Sequence, residues 1–268
     1  MDFTLKSYQS LLIAFQKAGY KFQRFEDYLQ NPAEGRLVIM RHDVDEYAGN
    51  ALKIAELENS LGIKSTFFFR IVKQSNVPEI IKKIATLGHE IGYHYEDLST
   101  AKGDYDLAIG SFQKNLEYFR QFYPVKTVCM HGSSFSKYDN RMLWDKFNME
   151  DYGIIGEPYL SIDFDEFLYL TDTGFAWDGS KFATRDIVYN NHGLSFHKTS
   201  EIVACIAEGN FPNKTLILAH TLWSDNLWQW TFLHLRDFFR NNIKYLSRNN
   251  KMIGKLYNFA AKKYWGLK

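Results

Sequence analysis

Residues 41–46 read RHDVDE and follow the apolar run RLVIM. Arg41, His42, Asp43 and Asp45 crowd four ionisable side chains around one valine, at what reads as the end of a buried strand. In an extended chain residues i and i+2 point to the same side, so Asp43 and Asp45 face one centre while Val44 packs elsewhere. Two carboxylates that close repel unless a cation lies between them or one takes a proton. A metal held by Asp45, with Asp43 beside an activated water, relieves the repulsion. It also gives Asp43 a task, accepting the proton as the water attacks.

Such a centre needs partners from elsewhere in the chain. Five further apolar runs deliver polar groups at their C-terminal ends: Arg70 after STFFF, His94 and Glu96 in GYHYE, and His131 after TVCM, then Asp172 after FLYLT and His220 after TLILA. Between them lie amphipathic stretches such as NALKIAELENSLG and VPEIIKKIATLG, closed by Gly62 and Gly88. Strand and helix alternating at this spacing predict a parallel sheet with crossover helices, either a barrel or open. In parallel α/β folds, sites are built at the C-terminal edge of the sheet. Before the alternation, Leu5, Tyr8, Leu11, Leu12 and Phe15 form a helical stripe stopped by Gly19, and a short helix covers residues 26–29. After it, residues 228–265 read as mostly helical. No repeat, low-complexity tract or linker divides the 268 residues, so one domain is expected: an N-terminal helical extension (1–34), a barrel (35–224) and C-terminal helices (225–268).

The net charge of +1 argues against nucleic acid as a partner. Two cysteines, Cys129 and Cys205, make no disulfide framework and read as small hydrophobes in a reducing compartment. The N-terminus lacks the features of a secretory leader and no window is apolar enough to span a membrane, so the cytoplasm is the expected location.

With these residues in view, the chain resembles the polysaccharide deacetylase superfamily (the NodB-homology group, of carbohydrate esterase type). Within it, the likeness is to a branch associated with surface-polysaccharide biosynthesis. VIMRHDVDE, STFFF, GHEIGYHYEDLS, CMHGSSFSKYDNRMLW and LILAHTLW stand in the order of that family's motifs, between Leu37 and Trp223. The resemblance implies a distorted (β/α)7-type barrel carrying additional N- and C-terminal helices. It also implies metal-dependent removal of an acyl group, acetyl first, from an N-acylated sugar that is lipid- or nucleotide-linked. By that match Asp43 is the base, Asp45 and His94 are metal ligands, and His220 protonates the leaving amine.

The sequence departs from the family pattern at two positions. Leu98 stands where a second histidine ligand is usual, and His131 stands where an arginine is usual. The third ligand is then His131, with Glu96 as the alternative and Asp97 and His42 weaker, or no metal is held tightly. Arg41 would orient Asp43 through its fork of N–H donors, and Asp172 would orient His220 and raise its pKa. Trp177, Trp223 and Tyr95 are the candidate substrate contacts, with Trp228 a further aromatic platform. The expected cofactor is a divalent metal, Zn2+ first. Two rival readings are an inactive sugar-binding member of the fold and a hydrolase of another non-peptide C–N bond.

Overall fold

The computed structural model describes residues 1–132, 136–177, 188, 190 and 192–249. In chain order the elements are α1 (Leu5–Lys17), β1 (Lys21–Gln23), α2 (Phe25–Gln30), β2 (Leu37–Val44), α3 (Ala48–Ser60), β3 (Thr66–Phe69), α4 (Pro78–Thr86) and β4 (Glu90–Tyr95). Then come α5 (Asp97–Thr100), α6 (Tyr105–Arg120), β5 (Val128–Met130), α7 (Pro158–Ser161), β6 (Leu168–Thr171), α8 (Thr199–Ala207), β7 (Lys214–Leu218) and α9 (Leu227–Asn249). The C-terminal helix expected beyond Asn249, most of the DIVYNNH stretch and residues 133–135 lie outside the described residues.

The strands are all parallel, in the order β5-β4-β3-β2-β7-β6, with the short β1 beside the first half of β2. This is the strand-and-helix alternation expected of a distorted β/α barrel. Among the described residues the barrel stays open, because β5 and β6 form its two edges and do not pair. The sheet nevertheless curls. Phe68 from β3, Cys129 from β5, Tyr169 from β6 and Leu216 and Leu218 from β7 meet Leu37 and Ile39 of β2 in one inner cluster.

Alternation along β2 divides its side chains between two layers. Leu37 and Ile39 fill the inner cluster, whereas Val38, Met40 and Val44 join the larger core under the helices. All eight residues of the strand are buried, as a parallel strand covered on both faces requires. Gly92 of β4 makes room inside the barrel: a Cβ there would lie 2.3 Å from the Phe68 ring. The small residue lets that ring lie beneath the site.

Local signals in the sequence set several helix ends. Thr4 caps α1 by accepting from Ser7 N–H at 3.0 Å, and the Ser7 hydroxyl accepts from Thr4 N–H at 2.9 Å. Gly62 and Gly88 follow α3 and α4 with φ of 72° and 88°, the left-handed conformation that ends a helix at low cost.

On the outer face of β2, His42 sits in a polar network with no solvent access. Its Nδ1 lies 2.9 Å from the Ala219 carbonyl oxygen and its Nε2 2.9 Å from Glu58 Oε1. Both neighbours are hydrogen-bond acceptors, so the ring is held between two oxygens. Tyr8 donates to Glu58 Oε1 and Ser65 to Glu58 Oε2, each at 2.5 Å. One fully buried carboxylate thereby joins α1, β2, α3 and the start of β3. Glu58→Ala leaves His42, Tyr8 and Ser65 without their acceptor and should cost about 3–5 kcal/mol, read as a lower urea midpoint. A midpoint within experimental error of wild type would show that the network does not tie these elements together.

Candidate active site at the C-terminal edge of the sheet

Every polar residue expected at a strand end is found there. Asp43 is the next-to-last residue of β2 and Asp45 follows the strand; Arg70 follows β3; His94 lies in β4 and Glu96 just past it. His131 follows β5, Asp172 follows β6, and His220 stands two residues past β7. The strands are parallel and in register, with His94 opposite Cys129 and Tyr95 opposite Met130, so His131 falls beside Glu96.

Asp43 is clamped by Arg41. Nε and Nη2 donate to its two oxygens at 2.9 and 2.6 Å, and both residues are buried. The guanidinium stacks on Tyr159 at 4.7 Å. Burial alone would raise the Asp43 carboxyl, but the adjacent Arg41 charge wins and holds it below the ordinary carboxylate range.

Asp45 sits in a different environment. Its Oδ1 is buried and, among the described residues, has no hydrogen-bond partner. Around it stand His94 Nε2 at 3.5 Å, His131 Nε2 at 3.5 Å and Arg70 Nη1 at 3.9 Å. Both imidazoles are committed through their other nitrogen. His94 Nδ1 lies 2.9 Å from the Cys129 carbonyl oxygen, and His131 Nδ1 lies 3.0 Å from Glu96 Oε2. Since those partners are acceptors, each Nδ1 carries a proton, and the Nε2 atoms are the ones that face Asp45.

Glu96 is fully engaged elsewhere. Arg70 donates to its Oε1 from Nε at 3.1 Å and Nη2 at 2.6 Å, while Oε2 receives His131. The alternative placing of Glu96 as a ligand therefore gives way to a second role, orienting an imidazole. Arg70, marked in the sequence only by its position at a strand end, is the group that holds Glu96. Leu98 is completely buried in the helix-covered core. His42, on the opposite face of β2, and Asp97, which accepts from Tyr93 at 2.7 Å and Ser111 at 2.6 Å, take no part in this cluster.

On the far side, Asp172 holds His220. Its Oδ1 lies 2.7 Å from His220 Nδ1, both its oxygens accept the His220 backbone N–H at 3.0 Å, and Oδ2 accepts the Trp223 indole N–H at 2.7 Å. Burial would lower the His220 pKa. The Asp172 charge and hydrogen bond outweigh it, with Asp45 and Asp43 adding to them, and the imidazole is pushed up to about 9.

The aromatic substrate contacts need correction. Trp223 is 1% exposed, Tyr95 0% and Trp177 5%. Tyr95 accepts the Trp144 indole N–H at 2.9 Å, and Trp177 donates to Thr199 Oγ1 at 3.0 Å. All three are core residues with their polar atoms satisfied, so none offers a ring face to a sugar.

Two donor sets share His94. Asp43, His94 and the Cys129 thiol each offer one ligand atom within 4.8 Å of one another. Asp43, however, already accepts twice from a guanidinium. Asp45 Oδ1 also lies 3.5 Å from an imidazole nitrogen of both His94 and His131, but the ligand atoms of those three do not all gather within 4.8 Å of one another.

No protein-family model matches the sequence, and no curated protein matches it. Among solved structures, the fold is similar to carbohydrate esterase family 4. One is a mutant of a family 4 pseudoenzyme with restored enzymatic activity (12% identity, TM-score 0.42); the match covers 77% of this chain and 64% of that one, so the chain spans less than two thirds of it. A second is a peptidoglycan N-acetylglucosamine deacetylase (17% identity, 77% and 82% covered, TM-score 0.38). A third is Bacillus subtilis PdaA, a family 4 carbohydrate esterase (14% identity, 86% and 83% covered, TM-score 0.43).

The Asp172–His220 pair yields a pH prediction. A folded pKa above the ordinary imidazole value of about 6.5 gives stability that is fully present below that pH. It is lost as pH rises through about 9. Asp172→Asn should bring the NMR titration midpoint of His220 down to about 7 or lower and flatten the stability loss across that window. A midpoint unmoved in the variant would assign the raised value to other groups.

Proposed function

We propose that the chain is a metal-dependent hydrolase of the polysaccharide deacetylase type, removing an acyl group, acetyl first, from an N-acylated sugar. The observation that carries this reading is the Asp45 carboxylate. Asp43 has Arg41, Glu96 has Arg70 and Asp172 has His220 as a hydrogen-bonded cationic partner. Among the described residues Asp45 has none, and its buried Oδ1 faces two imidazole nitrogens, with the Arg70 guanidinium farther off at 3.9 Å. A buried carboxylate oxygen without a hydrogen-bond donor, beside two imidazoles, fits a divalent cation.

In this reading Asp45, His94 and His131 hold the ion, Zn2+ first. Glu96 fixes the His131 ring, and the Cys129 carbonyl fixes that of His94. The ion, when bound, polarises the acyl oxygen and acidifies a water. Asp43 accepts the proton of the attacking water, and the Arg41 fork fixes the direction in which its oxygens point. His220, protonated at neutral pH and fixed by Asp172, delivers a proton to the departing amine.

A second reading is a sugar-binding protein without catalysis, and Leu98 in place of the usual histidine ligand supports it. The two readings separate on metal content and acetate release. The wild-type protein, purified without added metal and dialysed, should retain about one equivalent of a divalent ion and release acetate from N-acetylated sugars. Asp43→Asn should keep the metal and lose about a hundredfold or more in rate. Glu96→Gln should weaken metal binding about 10- to 100-fold, and His131→Ala should lose the metal. Metal-free wild type, together with acetate release unchanged in Asp43→Asn, would sink the hydrolase reading.

A further inference from the structure

β2 pairs with β3 as far as Val44, opposite Phe69, and α3 begins at Ala48. Asp45, Glu46 and Tyr47 lie past the last paired residue, so the sheet does not fix the carboxylate on which the candidate site depends. Tyr47 stands in the left-handed region, with φ 57° and ψ 50°. A residue with a Cβ disfavours that conformation and keeps it only where its surroundings impose it. Arg236 of α9 is placed to impose it. Its Nη1 donates to the Tyr47 hydroxyl at 2.8 Å and to Glu46 Oε2 at 2.9 Å, and its Nη2 donates to Glu46 Oε1. The guanidinium also lies over the Tyr47 ring, 5.0 Å from its centroid. One cation thus grips both residues that follow Asp45. Glu46 is 3% exposed, and a buried carboxylate needs such a paired, hydrogen-bonded cation. Arg240 reaches Glu46 Oε1 only at 3.4 Å and donates to Asp237 Oδ1 at 3.0 Å, which makes it the lesser partner.

The same layer reaches the other side of the pocket. Thr221, the residue after His220, donates from Oγ1 to the Glu46 carbonyl at 2.7 Å. Its own carbonyl accepts from Asn50 Nδ2 at 3.2 Å, in the first turn of α3. Asn50 Oδ1 in turn accepts from Gln229 Nε2 at 3.2 Å, in the first turn of α9. Glu46, Asn50 and Thr221 are all buried. The residue after Asp45 and the residue after His220 are therefore bonded to each other, and α9 closes over both.

We propose that Arg236 is a positioning residue of the candidate site. Acting through Glu46 and Tyr47, it holds the turn that aims Asp45 at His94 and His131, and it fixes that turn against the strand end that carries His220. The consequence for metal affinity rests on the hydrolase reading; the hold on the turn does not.

The test uses two readouts on the full-length protein, neither of them activity. The first is amide hydrogen exchange of the chelator-treated, metal-free protein, and the second is Zn2+ affinity by competition with a chromophoric chelator. Arg236→Met keeps the length of the side chain and removes its charge and donors. The amides of residues 45–48 should then exchange about tenfold faster, with those of β3 and β4 unchanged, and Zn2+ should bind about tenfold more weakly. Arg236→Lys restores the charge without the fork and should recover part of both losses, which packing alone would not produce. If Arg236→Met fails to fold, Glu46→Gln takes its place, with about a threefold effect on each readout. A folded variant whose residues 45–48 exchange as in wild type overturns the proposal. So does one that exchanges faster there yet binds Zn2+ as tightly as wild type, since the turn would then serve stability alone. Wild type that binds no Zn2+ sinks the hydrolase reading, and exchange at residues 45–48 then decides the proposal by itself.

Discussion

β2 carries ionisable side chains on both faces although neither face meets solvent, and the site depends on how those charges are balanced. Inward, Arg41 and Asp43 neutralise each other through two hydrogen bonds. Outward, His42 meets Glu58. Pairs of this kind seldom add net stability over apolar residues of the same size, but losing one partner is costly. Their effect here is positional. The outward pair extends through His42 Nδ1 to the Ala219 carbonyl, fixing the residue immediately before His220. A network remote from solvent thus sets where β7 presents its histidine to the pocket.

Within the pocket, the pairing of charges also limits what each carboxylate can do. Asp43, bound twice to Arg41, is held below the ordinary carboxylate range and stays an anion. Asp172 spends its hydrogen-bonding capacity on the His220 backbone and ring and on the Trp223 indole, which leaves it a positioning group. Asp45 differs because, among the described residues, its buried oxygen accepts no hydrogen bond and faces two imidazole nitrogens. Under the hydrolase reading, the carboxylate held low by Arg41 and the imidazole held high by Asp172 serve as base and acid on either side of it.

The strand ends were legible because a buried parallel strand reads as an apolar run and the polar residues that close it stand out. The i, i+2 relation correctly put Asp43 and Asp45 on one side. What the sequence could not disclose was which of several neighbouring polar atoms would be used up by others. Glu96 and His131 are 35 positions apart, and only the register of β4 with β5 puts them side by side. Arg70 looked like any strand-end arginine until that register set it on Glu96. The aromatic residues failed for the opposite reason. Trp177, Trp223 and Tyr95 lie near site residues in sequence, but large rings close to a sheet edge are worth more as packing than as exposed surface, and all three are buried.

The placements of Leu98 and His131 bear on each other. After Glu96 the chain turns at once into α5, where Asp97 is held by Tyr93 and Ser111 and Leu98 enters the helix-covered core. A histidine at position 98 would have to leave that core to reach Asp45. The imidazole can come instead from the adjacent strand end, where His131 N–H donates to the Tyr95 carbonyl at 2.8 Å and its ring reaches Asp45. The guanidinium beside Asp43 comes from β2 itself, two residues before it. Neighbouring strand ends therefore share the work of surrounding Asp43 and Asp45: β2 supplies Arg41, β4 supplies His94 and the end of β5 supplies His131.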